Sequence, residues 1–243
     1  MRKIILFVSV FMLCVALSVW ALRPRASYNV EDRMQFAQTM SLYYAAERGD
    51  LQVVQDLINQ GYDVNIVCDI SCAGWTPVMI ASANGHFDVV EFLLKNGANP
   101  NVQNNRGRTA LAFATKYRFI PIVNVLLEYG ADPKLTSEDE NGKWSAMADA
   151  MIGAIKEPEA YEILRMFVQK TGDVNFMYYD YTPLLMAVYY DDYDFAKYLL
   201  ENGADVNHVK VIKDKETGQD INYTVENMVQ SEEMLFLVMS YKK

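Results

Sequence analysis

Two histidines, His86 and His208, and three cysteines, Cys14, Cys68 and Cys72, are the only residues of those two types in this 243-residue chain. Metal and nucleophile chemistry usually draws on them. A zinc site built on Cys68 and Cys72 needs two further ligands, and His86 is the one candidate nearby. His208 has no nucleophile close to it in sequence. Asp191-Asp192-Tyr193-Asp194 carries charge enough for calcium. It falls at the start of a helix, however, where acids cap backbone N–H groups and complement the helix dipole. Glu138-Asp139-Glu140 reads as a solvated acidic loop. Phosphate loops, dinucleotide fingerprints, serine elbows and zinc-protease helices are absent from the sequence. The chain is expected to be no enzyme and to hold no metal and no cofactor.

Composition narrows the class further. At 51% hydrophobic residues the chain is too apolar to be disordered. Its 22 Lys+Arg against 31 Asp+Glu leave a net charge of −9. A phosphate backbone requires a basic face, so nucleic acid is excluded as a partner.

Residues 1–21 begin Met-Arg-Lys and continue as an apolar run from Ile4 to Ala21, interrupted by Ser9 and Ser18. A basic start, a hydrophobic stretch and small residues at Val19 and Ala21 make a secretory signal, and the protein is expected to be exported, periplasmic or secreted. The run is also long enough to span a bilayer, so an uncleaved anchor through residues 4–21 is the alternative. Cleavage after Ala21 removes Arg2, Lys3 and no acid, which takes the charge from −9 to −11. A partner that is not strongly acidic follows from that charge. Cleavage also removes Cys14 and leaves Cys68 and Cys72, an even pair that in an oxidising space is expected to form a disulfide, with free thiols the alternative.

Internal repetition organises the remainder. Thr76-Pro77-Val78-Met79-Ile80-Ala81 recurs 33 residues later as Thr109-Ala110-Leu111-Ala112-Phe113-Ala114. It returns as Thr182-Pro183-Leu184-Leu185-Met186-Ala187 and, more weakly, as Ser145-Ala146-Met147-Ala148-Asp149-Ala150. A second signature follows each copy, as in Leu93-Leu94-Lys95-Asn96-Gly97-Ala98-Asn99-Pro100-Asn101 and Leu199-Leu200-Glu201-Asn202-Gly203-Ala204-Asp205-Val206-Asn207. Each unit reads as a helical hairpin. Thr76 or Thr182 can cap a helix, and the proline after it suits the first turn. Gly85 ends the first helix. The second, Phe87 to Lys95, aligns Val89, Val90, Phe92, Leu93 and Leu94 on one apolar stripe, and Gly97 supplies the left-handed residue beyond it. A hairpin apolar on both flanks must stack with neighbours, which makes a solenoid.

These motifs resemble the ankyrin repeat family, whose unit combines Thr-Pro-Leu-His-x-Ala with Gly-Ala-Asp-Val-Asn. The family's histidine is replaced here by Met79, Ala112 and Leu185. The resemblance implies an all-α fold, an ankyrin-repeat solenoid of stacked helical hairpins with β-turn loops, preceded by the N-terminal signal or anchor helix. Residues 22–39 would form a linker and N-terminal cap. Residues 40–243 would hold about six units, the first, fourth and last imperfect. Function in this family usually resides in the loop tips and first-helix ends that line the concave face. The large amphipathic side chains at those positions are Trp75, Arg108, Tyr117, Tyr178, Tyr179, Tyr181, Tyr189 and Tyr190. Tyrosine, tryptophan and arginine often dominate binding energy. The expected function is a monomeric, non-catalytic module that grips a partner protein outside the cytoplasm, as an inhibitor, immunity factor or assembly factor. A membrane-tethered structural scaffold is the alternative.

Overall fold

The structure, a computed structural model, describes residues 30–68, 72–139, 142–154, 157–178, 181–213 and 220–242. The leader at residues 1–21, the start of the linker and Tyr179 lie outside them. Among the described residues, no helix is long and apolar enough to cross a membrane. The chain divides into two compact units, 1–143 and 144–243.

Among the described residues of the first unit six helices form three hairpins: α1 (Val30–Arg48) with α2 (Leu51–Asn59), α3 (Pro77–Asn84) with α4 (Phe87–Lys95), and α5 (Ala110–Lys116) with α6 (Ile120–Glu128). First helices stack on first helices, α1 on α3 on α5, and second helices stack on second, α2 on α4 on α6. The helix α1 runs unbroken across residues 39 and 40, where the sequence suggested the edge of the repeats.

The repeat residues do the work their chemistry suggests. Pro77 opens α3, and Gly85 closes it at φ +80°. Val89, Val90, Leu93 and Leu94 bury the inner stripe of α4, whereas Phe87 at its start is exposed. Thr109 Oγ1 accepts from the Ala112 N–H at 3.2 Å. Thr76 occupies the same slot but makes no such cap bond. Consecutive hairpins approach closely at two glycines. A Cβ on Gly49 would lie 2.5 Å from the His86 ring, and one on Gly85 would lie 2.9 Å from Phe119. His86 Nε2 also sits 2.9 Å from the Glu47 carbonyl oxygen at the end of α1. This histidine therefore fastens one hairpin to the next.

A series of asparagines ties the loops together. Asn65 Nδ2 donates to the Gly97 carbonyl at 3.0 Å, and Asn65 Oδ1 accepts from the Asn99 N–H at 2.7 Å. Asn101 repeats both bonds one hairpin on, to the Gly130 carbonyl at 2.9 Å and from the Asp132 N–H at 2.8 Å. Only a primary amide offers donor and acceptor in this geometry. Lys134 takes the third place in the series, where the side chain is an ammonium and not an amide. A short hairpin, β1 (Ser137–Asp139) with β2 (Gly142–Trp144), lies where the first unit ends.

The second unit holds α7 (Ala146–Ala154) with α8 (Pro158–Thr171), and α9 (Pro183–Tyr189) with α10 (Tyr193–Glu201). Gly153 allows α7 and α8 to pack tightly, since a Cβ there would lie 2.5 Å from the Ala160 Cβ. Ser145 and Thr182 cap α7 and α9, accepting from the Ala148 N–H at 3.0 Å and the Leu185 N–H at 3.2 Å. Asp192 Oδ1 caps α10 through the Phe195 N–H at 3.1 Å. Its other oxygen takes Arg165 at 3.1 Å and the Tyr161 hydroxyl at 2.9 Å, so this part of the acidic run belongs to the fold. The asparagine bond recurs, with Asn175 reaching the Gly203 carbonyl at 3.0 Å and the Asp205 N–H at 2.9 Å.

After α10 the chain leaves the helical pattern. An antiparallel hairpin, β3 (Val209–Lys213) with β4 (Asp220–Thr224), precedes a single 3-10 turn (Glu226–Met228) and α11 (Glu232–Tyr241). Among the described residues, two short β-hairpins thus accompany the helices, which an all-α reading does not include.

Candidate partner-binding site

The hairpin β3–β4 closes one side of a hollow in the second unit. Lys210 and Tyr223 are cross-strand partners, so their side chains project from one face of the hairpin. That face closes over Tyr181, in the loop before α9, and over Met186 and Tyr189 on α9 itself. Met228 of the 3-10 turn and Gln230 complete a hollow of about 370 Å³. Lys210 is only 6% exposed, and its Nζ lies 3.4 Å from the centroid of the Tyr181 ring. At that distance the ammonium is held by the ring quadrupole. Gln230 Nε2 donates to the Tyr189 carbonyl at 2.7 Å, which fixes the end of α9 against the segment beyond the 3-10 turn.

Burial pushes the Tyr181 phenol above its ordinary range, and Tyr223 and Tyr189 beside it add to the shift. The hydroxyl therefore remains a proton donor at neutral pH. Among the described residues the lining combines methionines, tyrosine rings, the Lys210 ammonium and the Gln230 amide, a set suited to gripping an amphipathic side chain.

The other tyrosines of this repeat divide between surface and interior. Tyr178 pairs with Tyr181 through backbone bonds of 3.2 and 3.1 Å, forming the tight loop tip. Tyr189 is 47% exposed at the rim of the hollow. Tyr190 faces inward, its ring 4.4 Å from that of Tyr161 and its hydroxyl donating to the Ala154 carbonyl at 2.7 Å. Its phenol is raised by burial first and by Tyr189 next. Tyr161 is raised as well, mainly by burial and then by the Asp192 carboxylate.

In the first unit the three named residues occupy separate places. Trp75 is half-buried, its ring 4.2 Å from Phe113. Arg108 closes the loop around Asn104, whose buried Oδ1 accepts from the Arg106 and Arg108 N–H groups at 3.0 Å each. Tyr117 stands 48% exposed at the end of α5, with Lys116 Nζ 5.5 Å from its ring centroid. Cys68 and Cys72 are joined by a disulfide, Cα to Cα 5.3 Å. Cys68 also pairs with Trp75 through its backbone N–H at 2.8 Å, so the bridged loop and the indole are held together.

Lys210, Tyr223, Met228 and Gln230 lie outside the repeat signature, and the sequence reading did not single them out. The signal was present in the alternation of Val209-Lys210-Val211-Ile212 and Ile221-Asn222-Tyr223-Thr224 across a polar turn, the pattern of a hairpin. Among the described residues, no group of three His, Cys, Asp or Glu side chains is placed to hold a metal ion.

Stacked helical hairpins with aromatic loop tips define a repeat solenoid that works by binding. The family model for ankyrin repeats (3 copies) matches residues 42–137 and 141–210. The chain belongs to the ankyrin repeat family. An ankyrin repeat protein of Acanthamoeba polyphaga mimivirus is 39% identical over 74 residues, 30% of this chain and 18% of that protein. One of fowlpox virus is 28% identical over 187 residues, 74% of this chain and 52% of its own length. The chain spans about half or less of the length of the curated relatives it matches. The crystal structure of the human ASB11 ankyrin repeat domain superposes with a TM-score of 0.51 at 27% identity, covering 83% of each chain. Ankyrin repeats are protein-binding modules, so the class of partner they indicate is a protein.

Proposed function

We propose that this chain is an exported, non-catalytic binding module that grips one partner protein, acting as an inhibitor, immunity factor or assembly factor. The observation that carries the reading is the hollow at Tyr181, Tyr189 and Tyr223, where three tyrosines gather around the buried Lys210. Aromatic side chains with polar ends are the usual anchors of protein interfaces. Trp75, Arg108 and Tyr117 offer further contacts on the first unit, and Tyr178 and Tyr179 on the second. The partner is a protein that is not strongly acidic as a whole, because the mature charge of −11 repels one that is. Affinity capture from the native host, with mass spectrometry of what is retained, tests the reading. Recovery of one stoichiometric protein agrees with it, and recovery of none from any extract is against it.

Export rests on the leader sequence and on the Cys68–Cys72 pair, and a single thiol count on denatured native protein separates the cases. No reactive thiol means a cleaved leader and an oxidised pair. One thiol, Cys14, means a retained apolar segment, and the protein is then a membrane-tethered scaffold. Two or three thiols contradict export to an oxidising space.

A further inference from the structure

We infer that the outward face of α11 is the contact through which two copies of this chain pair, helix against antiparallel helix about a two-fold axis. One side of α11 packs on α10 and the 3-10 turn, burying Met234, Leu237 and Val238. The opposite side carries Leu235, Phe236 and Met239, which are 43%, 78% and 52% exposed. Separations of one, three and four residues set them along one stripe of the helix, with the exposed Glu232 leading it. A helix apolar all round belongs to an interior, and an outermost solenoid helix ordinarily turns a polar face to water. This helix offers water what an inner helix offers its neighbour. Beside the stripe, an open hollow of about 540 Å³ lies between Tyr193, at the start of α10, and Glu232, Glu233 and Phe236.

The stripe is complementary to a second copy of itself. In an antiparallel pair with its axis at the level of Leu237 and Val238, each Phe236 ring meets Met239 of the second copy, a sulfur–aromatic contact. The last turn of the second helix then lies over the hollow, and its Lys242 faces Glu232. Lys242 is paired with Glu226 in its own chain, and its ammonium has three N–H donors, enough for a second carboxylate. A parallel pair would set Glu232 against its own counterpart and align the two helix dipoles unfavourably. Leu235, Phe236, Met239 and Tyr193, with Glu232, Glu233 and Ser240 at the rim, expose roughly 500 Å² a copy, at about 200 Å² for a whole large side chain. A pair covers roughly 1,000 Å², the lower edge of specific interfaces. The dimer is therefore weak, with a dissociation constant on the order of 10–100 µM, and dilute protein is the monomer expected from the sequence.

Sedimentation equilibrium of the full chain from about 5 to about 500 µM should show a reversible monomer–dimer equilibrium. Phe236→Asp should weaken association roughly tenfold or more with thermal unfolding unchanged, because that side chain stands in water in a single copy. Should Phe236→Asp fold poorly, Met239→Glu gives the same reading. A mixture of copies carrying ¹³C-labelled methionine methyls with unlabelled copies should give an intermolecular cross-peak between the Met239 methyl and the Phe236 ring. A monomer at every concentration, or cross-peaks absent or confined to other methionines, would overturn the proposal. Association that both variants leave untouched would place the contact elsewhere, in the leader for instance, and overturn it too. If the chain stays monomeric while Phe236→Asp lowers its affinity for the captured partner protein, the face belongs to that protein and the proposal falls. Binding at the hollow beside Tyr189 is judged by a different variant, so the two readings fail separately.

Discussion

Replacing Asn101 by alanine probes the bonding that joins consecutive hairpins, and its size can be worked from the structure. The side chain donates to the Gly130 carbonyl at 2.9 Å and accepts from the Asp132 N–H at 2.8 Å. A hydrogen bond of this kind contributes about 0.5–1.5 kcal/mol net. Both lie at the exposed edge of the stack, where water can replace the lost partners, so the low end of the range applies to each. Asn101→Ala should therefore destabilise the protein by about 1 kcal/mol. The Asn101 N–H still reaches Asn99 Oδ1 at 2.9 Å, so the loop itself should keep its conformation. Urea unfolding of the full chain, followed by circular dichroism, reads the effect as a lower midpoint with an unchanged slope. With a slope of about 1–3 kcal/mol per M, the midpoint should fall by roughly 0.3–1 M. Asn101→Asp keeps the acceptor, loses the donor and places a carboxylate near the Gly130 carbonyl, so it should be no better than alanine. A midpoint within 0.1 M of the parent for both variants would show that these bonds add nothing beyond what water provides.

Leu126→Ala removes a side chain with no solvent exposure from the inner stripe of α6 and should cost about 2–5 kcal/mol in the same titration. Arg118 stands at φ +60° in the slot that Gly85 fills at +80°, so Arg118→Gly should stabilise by about 0.5–1 kcal/mol, read as a higher midpoint. Tyr161 has a raised phenol, so its contribution is fully present below the ordinary tyrosine value and is lost as pH climbs above about 10. Stability should fall from there upward, and Tyr161→Phe should flatten that fall in pH-dependent thermal unfolding.

The helical framework was legible because each unit repeats its chemistry. Thr109 and Thr182 do cap their helices, Gly85 and Gly97 do take left-handed backbone, and Phe87 to Lys95 is the second helix with the stripe expected of it. Thr76 lacks the cap bond that its place in the motif suggested. The β3–β4 hairpin was not legible from the repeat. Its strands are five residues each, and one buried position is a lysine, a type that usually reads as solvated. The division of labour between Tyr189 and Tyr190 was equally hidden. They are adjacent at the end of a helix, and which one faces inward depends on Tyr161, contributed by the imperfect fourth repeat. Lys210 and Tyr223 became visible as site residues only once the hairpin register placed them together.

In the proposed function the tyrosine-lined hollow of the second unit holds the partner. Tyr189→Ala tests it most directly, because that side chain is 47% exposed at the rim, whereas Tyr181 supports the buried Lys210 and Tyr190 is bonded into the fold. The measurement is the affinity of the parent and of Tyr189→Ala for the captured partner, with thermal unfolding of both recorded alongside. The expected result is a loss of about 1–2 kcal/mol in binding, roughly five- to thirtyfold in Kd, with the unfolding temperature unchanged. Full affinity in the variant, with its fold intact, would contradict binding at the hollow and move the contact to another face of the protein.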